Sequence, residues 1–345
     1  MLYNWKESID NDELNSVVKA LVRGELVVFP TETVYGIGAD VFNIEAVKNI
    51  YKAKGRPSDN PLIAHVSDVE MLEKCVSKIS DVERKLINAF MPGPFTLILE
   101  KSEIIPNEVT ANLNTVAIRM PSDKIARKII SEFGRPIAAP SANVSGKPSG
   151  TRIEDIRNEL EDKVFVLIDG GNTDIGLEST VVKVIDGVPR ILRPGGITAE
   201  DIQKLVGKVS IDNHILNKVS DSEKVESPGM KHKHYAPKTK CVLVDIEDER
   251  ERVNKINDIL NDNICVIGFE RHRKEIHTSK FLSMGDSLED VSKNIFMLLR
   301  KADLLRCELI VIEGMSTEGL GLAIMNRLIR TCDYNVISNG YIGLK

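Results

Sequence analysis

Three cations, Lys52, Lys54 and Arg56, fall within five residues at the start of KAKGRPSDNPLIAH (52–65), and the Gly, Pro, Ser, Asp and Asn that follow break any helix. Two readings of Lys54 and Arg56 stay open. Either they complement the carbonyl end of a helix, or, two apart on non-helical backbone, they grip a polyphosphate, Arg as a planar fork and Lys as a point charge. Three more segments place short polar or cationic side chains where a strand should end: PTETVYGIGAD (30–40), TVAIRMP (115–121) and APSANVSGKPSGT (139–151). Ligands of open α/β sheets bind at strand ends beside helix N-termini, so four such loops are expected to converge on one pocket.

Each segment also has a structural reading. Ser141 and Asn143 suit an N-cap or Asx turn, or, with the Gly and Ser density through Thr151, a backbone brought close to an anion. Thr31 and Thr33 suit helix capping, Arg119 in VAIRM suits a solvent-facing strand position, and His65 suits a strand edge. The common nucleotide motifs fail. SANVSGKPSG has Pro148 where a P-loop needs Ser or Thr, and GIGADV has Val41 where a dinucleotide fingerprint needs its third glycine. GLGLA (319–323) reads as a tight turn before a helix. His232 and His234 sit in a Lys-rich stretch without carboxylates, which is poor metal-site chemistry.

The elements that must position these loops alternate along residues 10–205. Helical spacing marks NDELNSVVKALVRG, NIEAVKNIYKAKG, 81–90, 122–133, 153–160 and 198–206. Extended runs mark ELVVFP, PLIAHV, FTLILE, TVAIRM, RPIAAP, VFVLIDG, STVVKVIDG and PRILRPGG. Adjacent strands without an intervening helix predict an open, mixed sheet. The pattern lapses across 207–240, a polar linker with two prolines in SPGMKHKHYAPKT. Beyond it CVLVDI, NICVIGF and CELIVIEG alternate with helical 248–261, 288–306 and 320–331, which predicts a smaller Rossmann-like parallel α/β domain. The expected organisation is a catalytic domain at 1–206, a linker or lid at 207–240 and a C-terminal domain at 241–345.

The 345 residues carry a formal net charge of −5, which disfavours a general nucleic-acid coat and makes any anion site local. Five scattered cysteines without a CxxC pair support neither a disulfide framework nor a zinc cage. No run reaches the length of a membrane span, and MLYNWKESIDNDELN lacks a signal pattern, so a cytoplasmic protein is expected.

Taken together, FPTETVYGIGAD, KAKGRPSDNPL, MPGPFTLIL, VAIRMP, PIAAPSANVSGKPSGT, ESTVV and ILRPGG closely resemble the YrdC-like family over most of residues 12–205. The family's K-x-R and S-x-N marks stand here as Lys54-Gly55-Arg56 and Ser141-Ala142-Asn143. The linker and the additional α/β domain resemble the family's long, two-domain form. The resemblance implies a reaction in which L-threonine, bicarbonate and ATP, with Mg²⁺ bridging the phosphates, give L-threonylcarbamoyladenylate, pyrophosphate and water. A downstream threonylcarbamoyl transferase complex would pass the product to tRNA; direct contact with tRNA is compatible with that reaction but not required.

By the same resemblance Lys54, Arg56, Ser141 and Asn143 are the catalytic set. ATP would be met by these four together with Asn60, Thr115, Ser149, Arg193 and, from the linker, Tyr235. Threonine would be met by Arg119 through its carboxylate and by Thr33, His65, the Ala139 backbone and Ser179 or Thr180. No protein side chain is expected to ligate the metal. An RNA-binding module using the same basic concavity is the alternative, disfavoured by the acidic balance and the 5% aromatic content. A carbamoyl-transfer domain like that of the hydrogenase-maturation proteins ranks last, since those carry zinc-binding cysteine pairs.

Overall fold

The computed structural model describes residues 1–217, 235–338 and the backbone of 341–342. Among these residues it divides into two compact units, one of 1–145 with 149–215, the other of 146–148, 216–217 and 235 onward. The first unit thus runs past 206 and takes in a short strand at Ser210–Ile211. Much of the anticipated linker, with His232 and His234, lies outside the described residues.

The strands of the first unit are β1 (Leu2–Asn4), β2 (Val27–Phe29), β3 (Gly36–Asp40), β4 (Ile63–His65), β5 (Phe95–Glu100), β6 (Thr115–Arg119), β7 (Ile137–Ala138), β8 (Val166–Asp169), β9 (Thr180–Ile185), β10 (Val188–Arg193) and β11 (Ser210–Ile211). They form one mixed sheet in the order β1-β8-β2-β3-β7-β4-β6-β5-β9-β10-β11. Most of the helices anticipated from periodicity start where short polar residues cap them. Asn43 accepts from the Ala46 amide before Ile44–Lys54, and Ser80 and Glu83 close a capping box before Asp81–Phe90.

Cross-strand register fixes which side chains share a face. Paired residues place Phe29, Gly36, Ile137, His65, Arg119, Thr96, Val181 and Arg193 on the same side of the sheet. One half of that face is covered by helices Asn11–Val22 and Lys124–Phe133, whose Leu14, Val17, Ile129 and Phe133 pack on Phe29, Ile137, Val166 and Ile168. The other half carries a small apolar floor of Ile63, Ile98, Ala117, Val181 and Leu192. A row of polar side chains borders the floor, and the loops converge there.

The second unit holds β12 (Lys240–Val244), β13 (Ile264–Gly268), β14 (Phe281–Ser283), β15 (Leu309–Glu313), β16 (Val336–Ser338) and β17 (Tyr341–Ile342), ordered β14-β13-β15-β12-β16-β17. Every pairing is parallel except β16 with β17. Gly319, at a positive φ of 54°, forms the turn ahead of helix Leu320–Thr331. At the carboxyl end of β15 the fully buried Glu313 accepts from the Phe269 amide at 2.9 Å, lies 2.7 Å from His272 Nδ1 and pairs with Arg252 Nε at 3.2 Å. All five cysteines are free and buried. No described helix is long and apolar enough to cross a membrane.

Candidate active site

Lys54 is the last residue of helix Ile44–Lys54, and Gly55 ends that helix in the left-handed conformation at φ 60°. This turn separates the two cations. The Lys54 ammonium is 2% exposed and points into the loop after β7, where it donates to the carbonyl oxygens of Ser141 and Asn143, the latter at 2.6 Å. The Lys54 carbonyl in turn accepts from the Ser145 amide at 2.8 Å. Backbone and side chain of one residue therefore both tie down the S-x-N loop. Burial, and next the Arg56 charge, push the Lys54 ammonium well below its ordinary pKa, against Glu159 and Glu178.

Arg56 lies half-buried beyond the turn and donates to the carbonyls of Asn60 (3.3 Å) and Pro61 (3.0 Å). Asn60 is buried and its Oδ1 has no hydrogen-bond partner in the protein. Within the S-x-N loop the Ser141 hydroxyl donates to Asn143 Oδ1 at 2.6 Å, and Asn143 Nδ2 donates to the Val144 carbonyl. The Ser149 hydroxyl donates to Glu178, a carboxylate beside Lys54 that was not anticipated. The loop lies against β3 through a bridge between Gly36 and Ser141.

Arg119 closes the other side. It is 4% exposed, not a solvent-facing strand position, and its Nη1 donates to the Thr33 hydroxyl at 2.8 Å. Its Nη2 stands 2.8 Å from Glu32 Oε1, an ion pair out of hydrogen-bond alignment. Thr31 and Thr33 share a hydrogen bond at 2.9 Å and form a buried turn, which the Ile175 and Gly176 amides stitch down by donating to the Glu32 and Thr33 carbonyls. His65 is paired with Arg119 across the sheet and buried, and burial pushes its imidazole down to about 3, with the Arg119 charge adding to the effect. It is neutral at ordinary pH. The Ala139 amide donates to the Ile63 carbonyl, which holds the chain leading into the S-x-N loop against β4.

Of Ser179 and Thr180, the structure brings only Ser179 to this face. Its hydroxyl lies 2.7 Å from that of Thr96, while Arg193 donates to its carbonyl at 2.9 and 3.1 Å. The expectation that Thr180 faces threonine is corrected. Side chains alternate along a strand, and the Thr180 hydroxyl is occupied on the other face, donating to and accepting from the Ile197 backbone. Gly195 holds the two strands together, since a Cβ there would run into the backbone of Glu178, Ser179 and Thr180. Thr115 shares the Arg119 face but stands at the far end of β6, roughly 13 Å away at ~3.3 Å per residue, where it lines a cavity of about 600 Å³ with Ile98 and Lys183. Tyr235 belongs to the second unit, where it is buried and stacks on Phe296.

Glu32, Glu178 and Thr96 are the buried polar residues of this region that reading the sequence missed; only the acidic position inside the PTET turn was open to notice. Asp123 lies near as well. Burial pushes its carboxyl up to about 6, the helix amide of Ala126 opposes this, and Glu32 and Asp174 add to it. Because this value lies above that of an unfolded aspartate, stability falls as pH rises from about 4 to 6 and stays reduced above. Asn at this position keeps the cap on Ala126. Asp123→Asn is therefore expected to be more stable than the parent at pH 7, by at most ~3 kcal/mol. The gain should shrink in urea melts below pH 4, and a gain independent of pH would refute the assignment.

The site thus has a cationic corner at 54–56, a polar loop, an apolar floor and a buried arginine beside the PTET turn. Among the described residues no three His, Cys, Asp or Glu side chains are grouped to hold a metal ion.

Comparison with known proteins bears on what this arrangement does. The model of a family described as "Telomere recombination", Sua5/YciO/YrdC, matches residues 19–195, and that of the "Threonylcarbamoyl-AMP synthase, C-terminal domain" matches 197–332. A threonylcarbamoyl-AMP synthase of Pyrococcus abyssi is 40% identical over 98% of this chain and 99% of its own length. One of Bacillus subtilis is 41% identical over 95% of each. The crystal structure of P. abyssi Sua5 complexed with L-threonine superposes with a TM-score of 0.92 at 40% identity, covering 98% of this chain and 99% of that one.

Proposed function

The chain belongs to the Sua5/YciO/YrdC family in its two-domain form, and from that premise we propose that it performs the reaction of its named relatives, the synthesis of threonylcarbamoyl-AMP. It is an enzyme of the nucleotidyltransferase type. L-threonine, bicarbonate and ATP are its substrates, and Mg²⁺ enters with ATP as the counter-ion of the phosphates. The carrying observation is the buried Arg119 held by the threonine hydroxyls of the PTET turn.

Threonine's carboxylate is received by Arg119, whose Nε is a buried donor without a protein partner. Its hydroxyl falls to the Thr33 and Ser179 side, where neutral His65 adds no charge. A pocket that hydrogen-bonds a substrate hydroxyl rejects an analogue lacking it by about 10⁴-fold or more. The threonine amine, once deprotonated, combines with bicarbonate to give the carbamate and water. A carbamate oxygen then attacks the α-phosphorus and pyrophosphate leaves. No protein nucleophile is needed; the site contributes alignment and cancellation of charge on the phosphates.

Arg56 and the S-x-N loop, with the buried ammonium of Lys54 behind it, form the cationic side for the triphosphate. Asn60, with its unpartnered buried oxygen, and Ser149 complete that side. To Thr115 and the cavity beside it we assign the nucleoside end. Arg193 acts from the Ser179 side. The product passes to an enzyme that modifies tRNA.

The test is release of pyrophosphate in the presence of L-threonine, bicarbonate and Mg-ATP, with threonylcarbamoyl-AMP identified by mass. Omission of any one substrate should reduce the signal to background. Pyrophosphate release independent of threonine would refute the reading.

A further inference from the structure

The pocket described above holds a second charged side chain that the reaction scheme does not use. Glu32 is 6% exposed and lies between two threonines in the same turn. Burial alone would raise its carboxyl, but the Arg119 charge and contact outweigh that and hold it below its ordinary value, so it is ionised. The geometry is unusual for a structural ion pair. Buried charges normally have their lone pairs and protons filled by well-formed hydrogen bonds. Here neither Glu32 oxygen meets a donor at full hydrogen-bond geometry, although Arg119 and the Glu32 and Ser122 amides lie close enough to favour its charge, and Arg119 Nε donates none. Two anionic acceptors and one cationic donor are therefore left unfilled within one buried ion pair.

We propose that Glu32 makes the pocket selective for a zwitterion, its carboxylate receiving the ammonium of an α-amino acid while Arg119 receives the carboxylate. This deepens, and rests on, the reading of the pocket as the threonine site. The complement of a neighbouring carboxylate and guanidinium is a molecule with an ammonium and a carboxylate on one carbon.

Charge supports the same conclusion. Glu32 and Arg119 form a pair of zero net charge away from water. A zwitterion adds none, whereas a bare carboxylate would leave a negative charge uncompensated at low dielectric. Asp123, whose field reaches Glu32 from the cap of helix Lys124–Phe133, makes a lone anion still less welcome. The same contact brings the ammonium to Glu32 before it loses the proton that carbamate formation requires.

The test compares L-threonine with (R)-3-hydroxybutanoate, which is threonine with hydrogen in place of the amine, by calorimetric titration of the full chain. The parent protein should bind threonine and discriminate against the hydroxy acid. Glu32→Gln keeps the volume and an acceptor for Arg119 but removes the charge. It is expected to lose about 10²-fold in threonine affinity and to bind the two ligands within a few-fold of each other. If both affinities fall equally and the ratio is kept, Glu32 only positions Arg119 and the proposal fails. Should Glu32→Gln not fold, Glu32→Asp decides. With the charge retained one methylene further back, it should bind threonine more weakly yet keep the discrimination, and loss of discrimination in this variant would overturn the proposal. Failure of the parent to bind threonine at all would instead remove the threonine-pocket reading itself.

Discussion

Replacing Arg119 by methionine is expected to lower kcat/KM for L-threonine by about 10²- to 10³-fold or more, since truncating one partner of a buried, hydrogen-bonded charge pair costs roughly 2–5 kcal/mol. The guanidinium is buried and is anchored by the Thr33 hydroxyl, so neither water nor a neighbouring cation replaces it. The same change leaves Glu32 ionised without its partner, and breaking such a pair destabilises by about 3–5 kcal/mol. Lost activity and lost stability would then be confounded. The double variant Arg119→Met/Glu32→Leu separates them, because an apolar pair of similar volume is often neutral for stability. It should melt near the parent temperature and remain inactive. Recovery of threonine-dependent pyrophosphate release in the double variant would show that Arg119 acts through folding alone.

Lys54→Met is expected to lower kcat by about 10²-fold or more with little change in KM for threonine. The side chain is anchored in the loop of Ser141 and Asn143 and makes no hydrogen bond to Arg119 or the PTET turn. The Ser141 and Asn143 carbonyls would lose their donor, at a cost of roughly 2–4 kcal/mol in stability, while the loop would keep its main-chain ties to Tyr35, Gly36 and the Lys54 carbonyl. Lys54→Arg should not restore the rate, because the planar guanidinium does not fit a space fully filled by an ammonium. Steady-state kinetics varying ATP and threonine separately make the comparison. An effect confined to the threonine KM would place Lys54 in the wrong half of the site.

The long periodic segments were legible because each buries one face. Helix Asp81–Phe90 and strand Phe95–Glu100 stand at the residues their patterns mark. β3 was not legible. Gly36-Ile37-Gly38-Ala39-Asp40 reads as a turn, yet it is a buried strand, and its glycine at 38 is required because a Cβ would stand 2.6 Å from the Phe29 ring. Strands as short as Leu2–Asn4 leave too little pattern to see.

At the site, the residue types in the four loops pointed to one anion-binding pocket. The partner of each side chain did not follow from them. The ammonium of Lys54 is met by main-chain oxygens, which every residue possesses and no sequence distinguishes. The alternation that turns Thr180 away from Ser179 depends on where β9 begins, and a one-residue uncertainty in that start reverses the assignment. Glu32 was hidden among the hydroxyls of its own turn.

Gly195 limits how this pocket can be altered. Because its bare Cα lies against the backbone of Glu178, Ser179 and Thr180, the chain segments bearing Ser179 and Arg193 cannot be spread without losing both. An engineer wanting a bulkier amino acid as substrate must therefore carve room elsewhere in the pocket and leave the 179–195 side as the fixed jaw.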